Sequence, residues 1–247
     1  MIGIARSMEA IVLAGGLGTR LRSVVAEVPK AMAPVAGRPF LERLLDLLVD
    51  AGFASAVLAV GYRADAIRDH FGDHYRGLPL VYSVEGKPLG TGGAIRLAMN
   101  QASSPEVFVV NGDTFVDVDF SAMLAAHRGA SARLTIAVHE VPDAARYGAL
   151  DIAGNRVRGF FEKGRAGPGW INAGVYLLAR TQLDDAALPT AFSFESDYLV
   201  PNVEALKPLA FPTRGLFIDI GVPEDYARAQ SMLVTPRPAS FPKKARW

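Results

Sequence analysis

Glu9-Ala-Ile-Val-Leu-Ala-Gly-Gly-Leu-Gly-Thr-Arg-Leu21 joins a short apolar run to a loop with three glycines. The run Glu9 to Ala14 has the length and β-branched content of a buried strand, and the glycines mark the turn that leaves it. Gly15, Gly16 and Gly18 let the backbone approach a polyphosphate, and Arg20, with Lys30 after Pro29, supplies two fixed cations to neutralise it. The spacing departs from the dinucleotide fingerprint, and the Lys-Ser/Thr pair that closes a P-loop is missing. Alone, such a loop is an ordinary strand-to-helix turn; Thr19-Arg20 and Pro29-Lys30 tip it toward a nucleotide.

Outward from this stretch, apolar strands alternate with amphipathic helices. A helix is predicted from Pro39 to Ala51, closed by Gly52, then a strand at Ser55 to Val60 and a helix at Ala64 to Phe71. A strand at Leu78 to Val84, a helix at Thr91 to Asn100 and a strand at Val107 to Val110 continue the βαβ series, which implies a mostly parallel sheet flanked by helices. Leu134 to Val138 and the short strands Gly148 to Ile152, Val157 to Phe161 and Asn172 to Leu178 predict a β-rich subregion over the substrate. A helix at Pro223 to Leu233 ends the pattern. A single α/β domain over residues 9–233 is expected, with residues 1–8 as an extension and 234–247 as a basic, proline-containing tail.

With 26 Lys and Arg against 25 Asp and Glu, the chain lacks the basic excess that wraps nucleic acid. Cysteine is absent, which removes disulfides, thiolate catalysis and cysteine zinc sites. No apolar window is long enough to span a membrane, and the first residues carry no apolar signal region, so neither a membrane nor a nucleic-acid partner is expected and a cytoplasmic location is the default. The sequence leaves assembly into a homo-oligomer open.

Several acids stand where chemistry is expected. Val110-Asn-Gly-Asp-Thr-Phe115 places Asp113 at the carboxyl end of a buried strand, where it suits magnesium or simply forms a turn. Asp219, within Phe217-Ile-Asp-Ile-Gly221, interrupts an apolar strand and calls for a metal or a cation. Asp119 reads as a helix N-cap, and Glu224 and Asp225 are explained by the dipole of the helix they begin. His70 and His74 read as surface positions rather than a zinc pair. Glu162-Lys163 is surface charge or a substrate contact, and Asn172-Ala-Gly-Val-Tyr176 suits sugar hydroxyls or a plain turn.

In order, these segments resemble the sugar-1-phosphate nucleotidyltransferase family: the glycine loop with Thr-Arg, Pro-Lys, Gly-Thr-Gly-Gly, Asn-Gly-Asp, Tyr-Gly, Glu-Lys, Asn-x-Gly-Val-Tyr and Asp-Ile-Gly. Within the family, Arg22 to Pro34 and Glu85 to Ile95 look most like the branch that guanylylates heptose 1-phosphates. The resemblance implies a Rossmann-like nucleotide-diphospho-sugar transferase fold with GTP and a sugar 1-phosphate as substrates. It implies that Leu13, Ala14, Gly15, Gly16, Gly18, Thr19, Arg20 and Lys30 hold the triphosphate, that Glu85 and Gly90 face the base, and that Thr91 and Asp113 also bind the nucleotide. Arg20, Lys30 and Lys163 would be the catalytic cations, and Asp113 and Asp219 would share Mg2+. Gly148, Glu162, Lys163 and Asn172 match the positions that take the sugar phosphate. A catalytically silent nucleotide-sugar sensor and a glycosyltransferase are the alternatives from other classes.

Overall fold

The computed structural model describes residues 8–16, 21, 28–161, 166–184 and 187–234. The first half alternates as its hydrophobic pattern requires: β1 (Glu9–Leu13), α1 (Phe40–Asp50), β4 (Ser55–Val60), α2 (Ala64–Phe71), β6 (Leu78–Val84), α3 (Gly90–Met99) and β7 (Glu106–Asn111). Two-residue strands β2 (Pro34–Val35), β3 (Arg38–Pro39) and β5 (His74–Tyr75) decorate it. Next come β8 (Thr114–Val116), α4 (Phe120–Gly129), β9 (Leu134–Val141), β10 (Leu150–Ala153), β11 (Arg156–Phe160) and β12 (Gly169–Ala179). The chain closes with a wide π-type turn at Phe194–Leu199, then α5 (Val200–Leu206), β13 (Leu209–Thr213), β14 (Phe217–Asp219) and α6 (Pro223–Met232).

Ten strands form one sheet in the order β10-β11-β13-β9-β12-β7-β1-β4-β6-β5. From the pairings, β6, β4, β1, β7, β9, β13 and β10 point one way, and β5, β12 and β11 point the other. The sheet is thus mixed and mostly parallel. The strands of the expected β-rich subregion extend this same sheet. β13, which carries Pro212 and was not read as a strand, supplies the missing parallel partner for β9.

β1 is buried on both faces because the alternation of its side chains feeds two cores. Ala10 and Val12 join Leu41, Leu44 and Leu45 of α1, whereas Ile11 joins Ile95, Ala98 and Met99 of α3. The first of these cores has an aromatic centre in which Phe53, Phe108 and Phe120 meet edge to face, with centroids 5.0 to 5.4 Å apart. α1 ends as expected, with Gly52 at φ 77°. α4 begins at Asp119, whose side chain accepts the Ala122 N–H at 2.9 Å.

The chain order locates the site. After β1 it moves outward to β4 and β6, then returns to place β7 on the other side of β1, so the carboxyl ends of β1 and β7 form a topological switch point. A small two-stranded sheet stands beside that opening: β14 pairs antiparallel with β8, setting Asp219 opposite Thr114. Two acids far apart in sequence become neighbours in this way.

Candidate active site

Four loops leave the carboxyl ends of parallel strands and enclose a cavity of about 720 Å³. Leu13, Ala14, Gly15 and Gly16 come from β1, Gly61 and Tyr62 from β4, Glu85 to Pro88 from β6, and Asn111 to Asp113 from β7; Gly90 and Thr91 of α3 complete the wall. Gly112 donates its N–H to the Leu13 carbonyl at 3.1 Å, a closeness that a side chain at residue 112 would prevent. Gly18, Thr19 and Arg20, also expected here, lie outside the described residues.

Glu85 is held in a defined orientation. Oε2 accepts the Leu89 N–H at 3.0 Å, at the entrance to α3. Oε1 lies over two glycines, so that a Cβ at Gly61 would come within 2.6 Å of it and one at Gly15 within 3.3 Å. The glycines of α3 face away from this cavity as well as toward it. A Cβ at Gly93 would meet the Thr190 carbonyl at 2.6 Å, and Gly92 lies against the Phe192 ring, so part of the Gly-Thr-Gly-Gly signal belongs to packing. Tyr62 and Lys87 line the cavity without having been expected there.

At the cavity floor Lys30 donates to Asp113 Oδ2 at 2.5 Å, with the lysine side chain 11 % exposed and the aspartate 36 %. Asp219 approaches from β14. Its Oδ1 accepts the Gly221 N–H at 2.7 Å, and the Ile220 N–H reaches the Asp113 carbonyl at 2.9 Å. Burial and the neighbouring Asp113 charge raise the Asp219 pKa above the ordinary carboxylate value, with Lys30 pulling the other way. Among the described residues, two carboxylates with one lysine beside them form a site short of positive charge. Such a donor set fits a hard divalent cation that takes one or two protein carboxylates and fills its other positions with water and phosphate oxygens. Among the described residues no group of three or more His, Asp or Glu is arranged to hold a metal by itself.

Asp113 also borders a second cleft, of about 530 Å³, that opens toward the β12 side. Gly148, Asn172, Asp219 and Glu195 share its wall. The pairing of β12 with β9 shifts register between Asn172 and Tyr176, and this irregularity turns Asn172 inward. Asn172 Nδ2 donates to the Tyr176 hydroxyl at 2.7 Å, and its Oδ1 accepts the Gly174 N–H at 3.1 Å. Tyr176 is buried and its hydroxyl pKa is strongly raised, above all by that burial. Gly148 adopts φ 82°, which favours glycine. Glu162 and Lys163 lie outside the described residues. Thr91 lines the first cavity while its hydroxyl accepts the Phe194 N–H at 2.8 Å, and the turn that follows carries Glu195 into the wall of the second cleft.

Over residues 9–235 the chain matches the nucleotidyl transferase family. It belongs to that family. A D-glycero-alpha-D-manno-heptose 1-phosphate guanylyltransferase from Aneurinibacillus thermoaerophilus is 42 % identical to this nucleotidyltransferase over 226 residues, covering 92 % of this chain and 98 % of the relative. The protein of the same name from Campylobacter jejuni is 41 % identical over 220 residues, covering 89 % and 97 %. The crystal structure of HddC from Yersinia pseudotuberculosis complexed with GMP-PN superposes with a TM-score of 0.82 at 39 % identity, covering 92 % of this chain and 99 % of that one.

Sequence reasoning also missed an ion-pair cluster around a buried acid in this nucleotidyltransferase. Asp225, attributed above to the helix dipole, is buried and bonded by Arg146 at 2.7 Å and Arg228 at 2.9 Å, whereas Glu224 beside it is exposed. A single acid in a helix's first turn carries no sign that its partner lies 79 positions away. His70 and His74 sit at the surface beside Glu42 and Asp73, as expected.

Proposed function

We propose that this chain transfers GMP from GTP to D-glycero-α-D-manno-heptose 1-phosphate, releasing pyrophosphate. The observation that carries this reading is the meeting of two clefts at Asp113, one suited to a nucleotide and one to a phosphorylated sugar. The relatives named for this reaction match nearly the whole of both chains.

Glu85 supports guanine as the base. An ionised carboxylate only accepts hydrogen bonds, which suits the adjacent N1–H and N2 amine of guanine and opposes the carbonyl oxygens flanking N3–H in uracil or thymine. With Oε2 occupied by the Leu89 N–H, Oε1 is the atom left facing the cavity. In the same reading the loop from Leu13 through Arg20 carries the triphosphate, while Gly148, Glu162, Lys163 and Asn172 take the sugar phosphate.

A phosphate monoester has its second pKa near 6, so at neutral pH the attacking oxygen is already largely deprotonated and needs no strong general base. The chain's task is then to align that oxygen with the α-phosphorus and the departing pyrophosphate, and to neutralise charge with Arg20, Lys30 and Lys163. Asp113 and Asp219 would hold Mg2+, which when bound supplies charge neutralisation at the phosphates. Lys30, paired with Asp113, is placed to turn toward a phosphate once a cation takes over that carboxylate.

We further assign residues 9–233 as the catalytic domain, a cytoplasmic location, and a role in supplying activated heptose for capsule or surface polysaccharide. No described helix is long and apolar enough to cross a membrane. The test is pyrophosphate release with magnesium across GTP, UTP, dTTP and ATP, each paired with heptose, mannose and glucose 1-phosphates. Fastest turnover with GTP and the heptose is expected, and silence with that pair would overturn the assignment.

A further inference from the structure

The first turn of α6 holds a carboxylate to which the proposed reaction gives no task. Asp225 is buried, its side chain 2 % exposed, yet two guanidinium groups converge on it. Arg228, three residues along the helix, reaches Oδ1, and Arg146 reaches Oδ2 from the loop between β9 and β10. Burying a carboxylate is costly, and such an arrangement persists where its partners satisfy it well. One carboxylate against two guanidinium groups leaves a surplus of one positive charge.

The Arg146 side of this trio borders the cleft assigned to the sugar phosphate, whose wall also carries the acids Asp113, Glu195 and Asp219. Arg146 borders it with Gly148, Asn172 and Asp219, and it is the one cation among the described residues of that wall. It does not border the nucleotide-side cavity. Only its Nη2 meets Asp225; among the described residues neither Nη1 nor Nε has a hydrogen-bond partner. The guanidinium also lies 5.8 Å from the centroid of the Tyr147 ring, which itself packs edge-on against Phe217. A planar cation fixed at one corner and on one face, with Nη1 and Nε unpaired among the described residues and its side chain bordering a cleft, suits an anion such as a phosphate.

We propose that Arg146 binds the phosphate of the sugar 1-phosphate and that Asp225 is a positioning residue that aims it. This rests on the reading of the β12-side cleft as the acceptor site. An ion pair serving only stability would leave substrate affinity alone, which gives the test its contrast.

In steady-state assays with saturating GTP, Arg146→Ala is expected to raise KM for the sugar 1-phosphate roughly tenfold or more while KM for GTP stays within about twofold. Arg146→Lys, which keeps the charge but not the fork, should fall between the two, and Asp225→Asn should shift the same KM in the same direction. Arg228→Ala removes the other partner of Asp225 without touching the cleft and should leave that KM within about twofold. An unchanged KM in Arg146→Ala would overturn the proposal, as would an equal rise in Arg228→Ala. If Arg146→Ala does not fold, Arg146→Lys decides by calorimetric titration beside a non-reacting GTP analogue. Weaker binding of the sugar 1-phosphate, with the unphosphorylated sugar unaffected, supports the role, and equal binding of the sugar 1-phosphate removes it. Should the parent release no pyrophosphate with any substrate pair, the proposed function fails by itself. The same titration of parent and variant then judges Arg146, and a parent that binds no sugar 1-phosphate ends the proposal too.

Discussion

The two ends of the central sheet treat an acid in opposite ways. At the amino end of β1, Glu9 accepts hydrogen bonds from the backbone of Ser103 and Ser104 and from the hydroxyls of Ser55 and Ser103. Burial works to raise its pKa, but these donors outweigh it, the Ser104 and Ser103 N–H groups foremost, and the pKa is lowered. At the carboxyl end Asp219 faces a like charge, has one backbone donor in Gly221, and its pKa is raised. One end surrounds an acid with donors and gains stability; the other, among the described residues, leaves acids short of positive charge, the condition expected where a cation and phosphates must arrive.

The comparison breaks most clearly at its charged end. Asp219→Asn keeps an acceptor for the Gly221 N–H but removes one of two adjacent negative charges. We expect turnover to fall about a hundredfold or more. The same change should raise the unfolding midpoint of the ligand-free protein by about 2 °C, because it relieves repulsion and the burial of a charge. A variant that loses activity and also loses stability would show that Asp219 is a structural residue like Glu9. Asp113→Asn should lose turnover to a similar extent, since it removes the carboxylate that both clefts share.

Gly61→Ala tests the base side. Its Cβ would sit 2.6 Å from Glu85 Oε1, so the carboxylate must move off its seat. The expected result is a rise of roughly tenfold in KM for GTP, with KM for the sugar 1-phosphate little changed. Equal losses for GTP and UTP would mean that Glu85 does not distinguish bases.

How far all this was legible depends on the range of the interactions. β1, β4, β6 and the helices between them follow from local period and capping, and their bounds fall within a residue or two of expectation. β13 was missed because Pro212 argues against a strand by local rules, although its neighbours pair with β9. Asp219 could be singled out as an acid among isoleucines, but its place beside Asp113 depends on the pairing of β14 with β8 across about a hundred residues. Asp225 was misread for the same reason: a first-turn acid looks alike from sequence whether water or two arginines satisfy it.

The smallest expected effect lies at the amino end. Glu9→Gln retains an acceptor oxygen but forfeits the charge and turns an amide toward donors, so about 2 kcal/mol of stability should be lost with kcat and both KM values unchanged. The pH dependence carries the sharper information. Because the Glu9 pKa is lower folded than unfolded, the unfolded chain binds the proton more readily between the two values. Stability from this group is therefore complete above the ordinary glutamate pKa and disappears as pH falls through the folded one. Denaturant melts between pH 7 and 3 should show Glu9→Gln losing less stability on acidification than the parent, the two curves converging at the acid end. Parallel curves would mean that Glu9 titrates alike in both states and that its serine donors contribute packing alone.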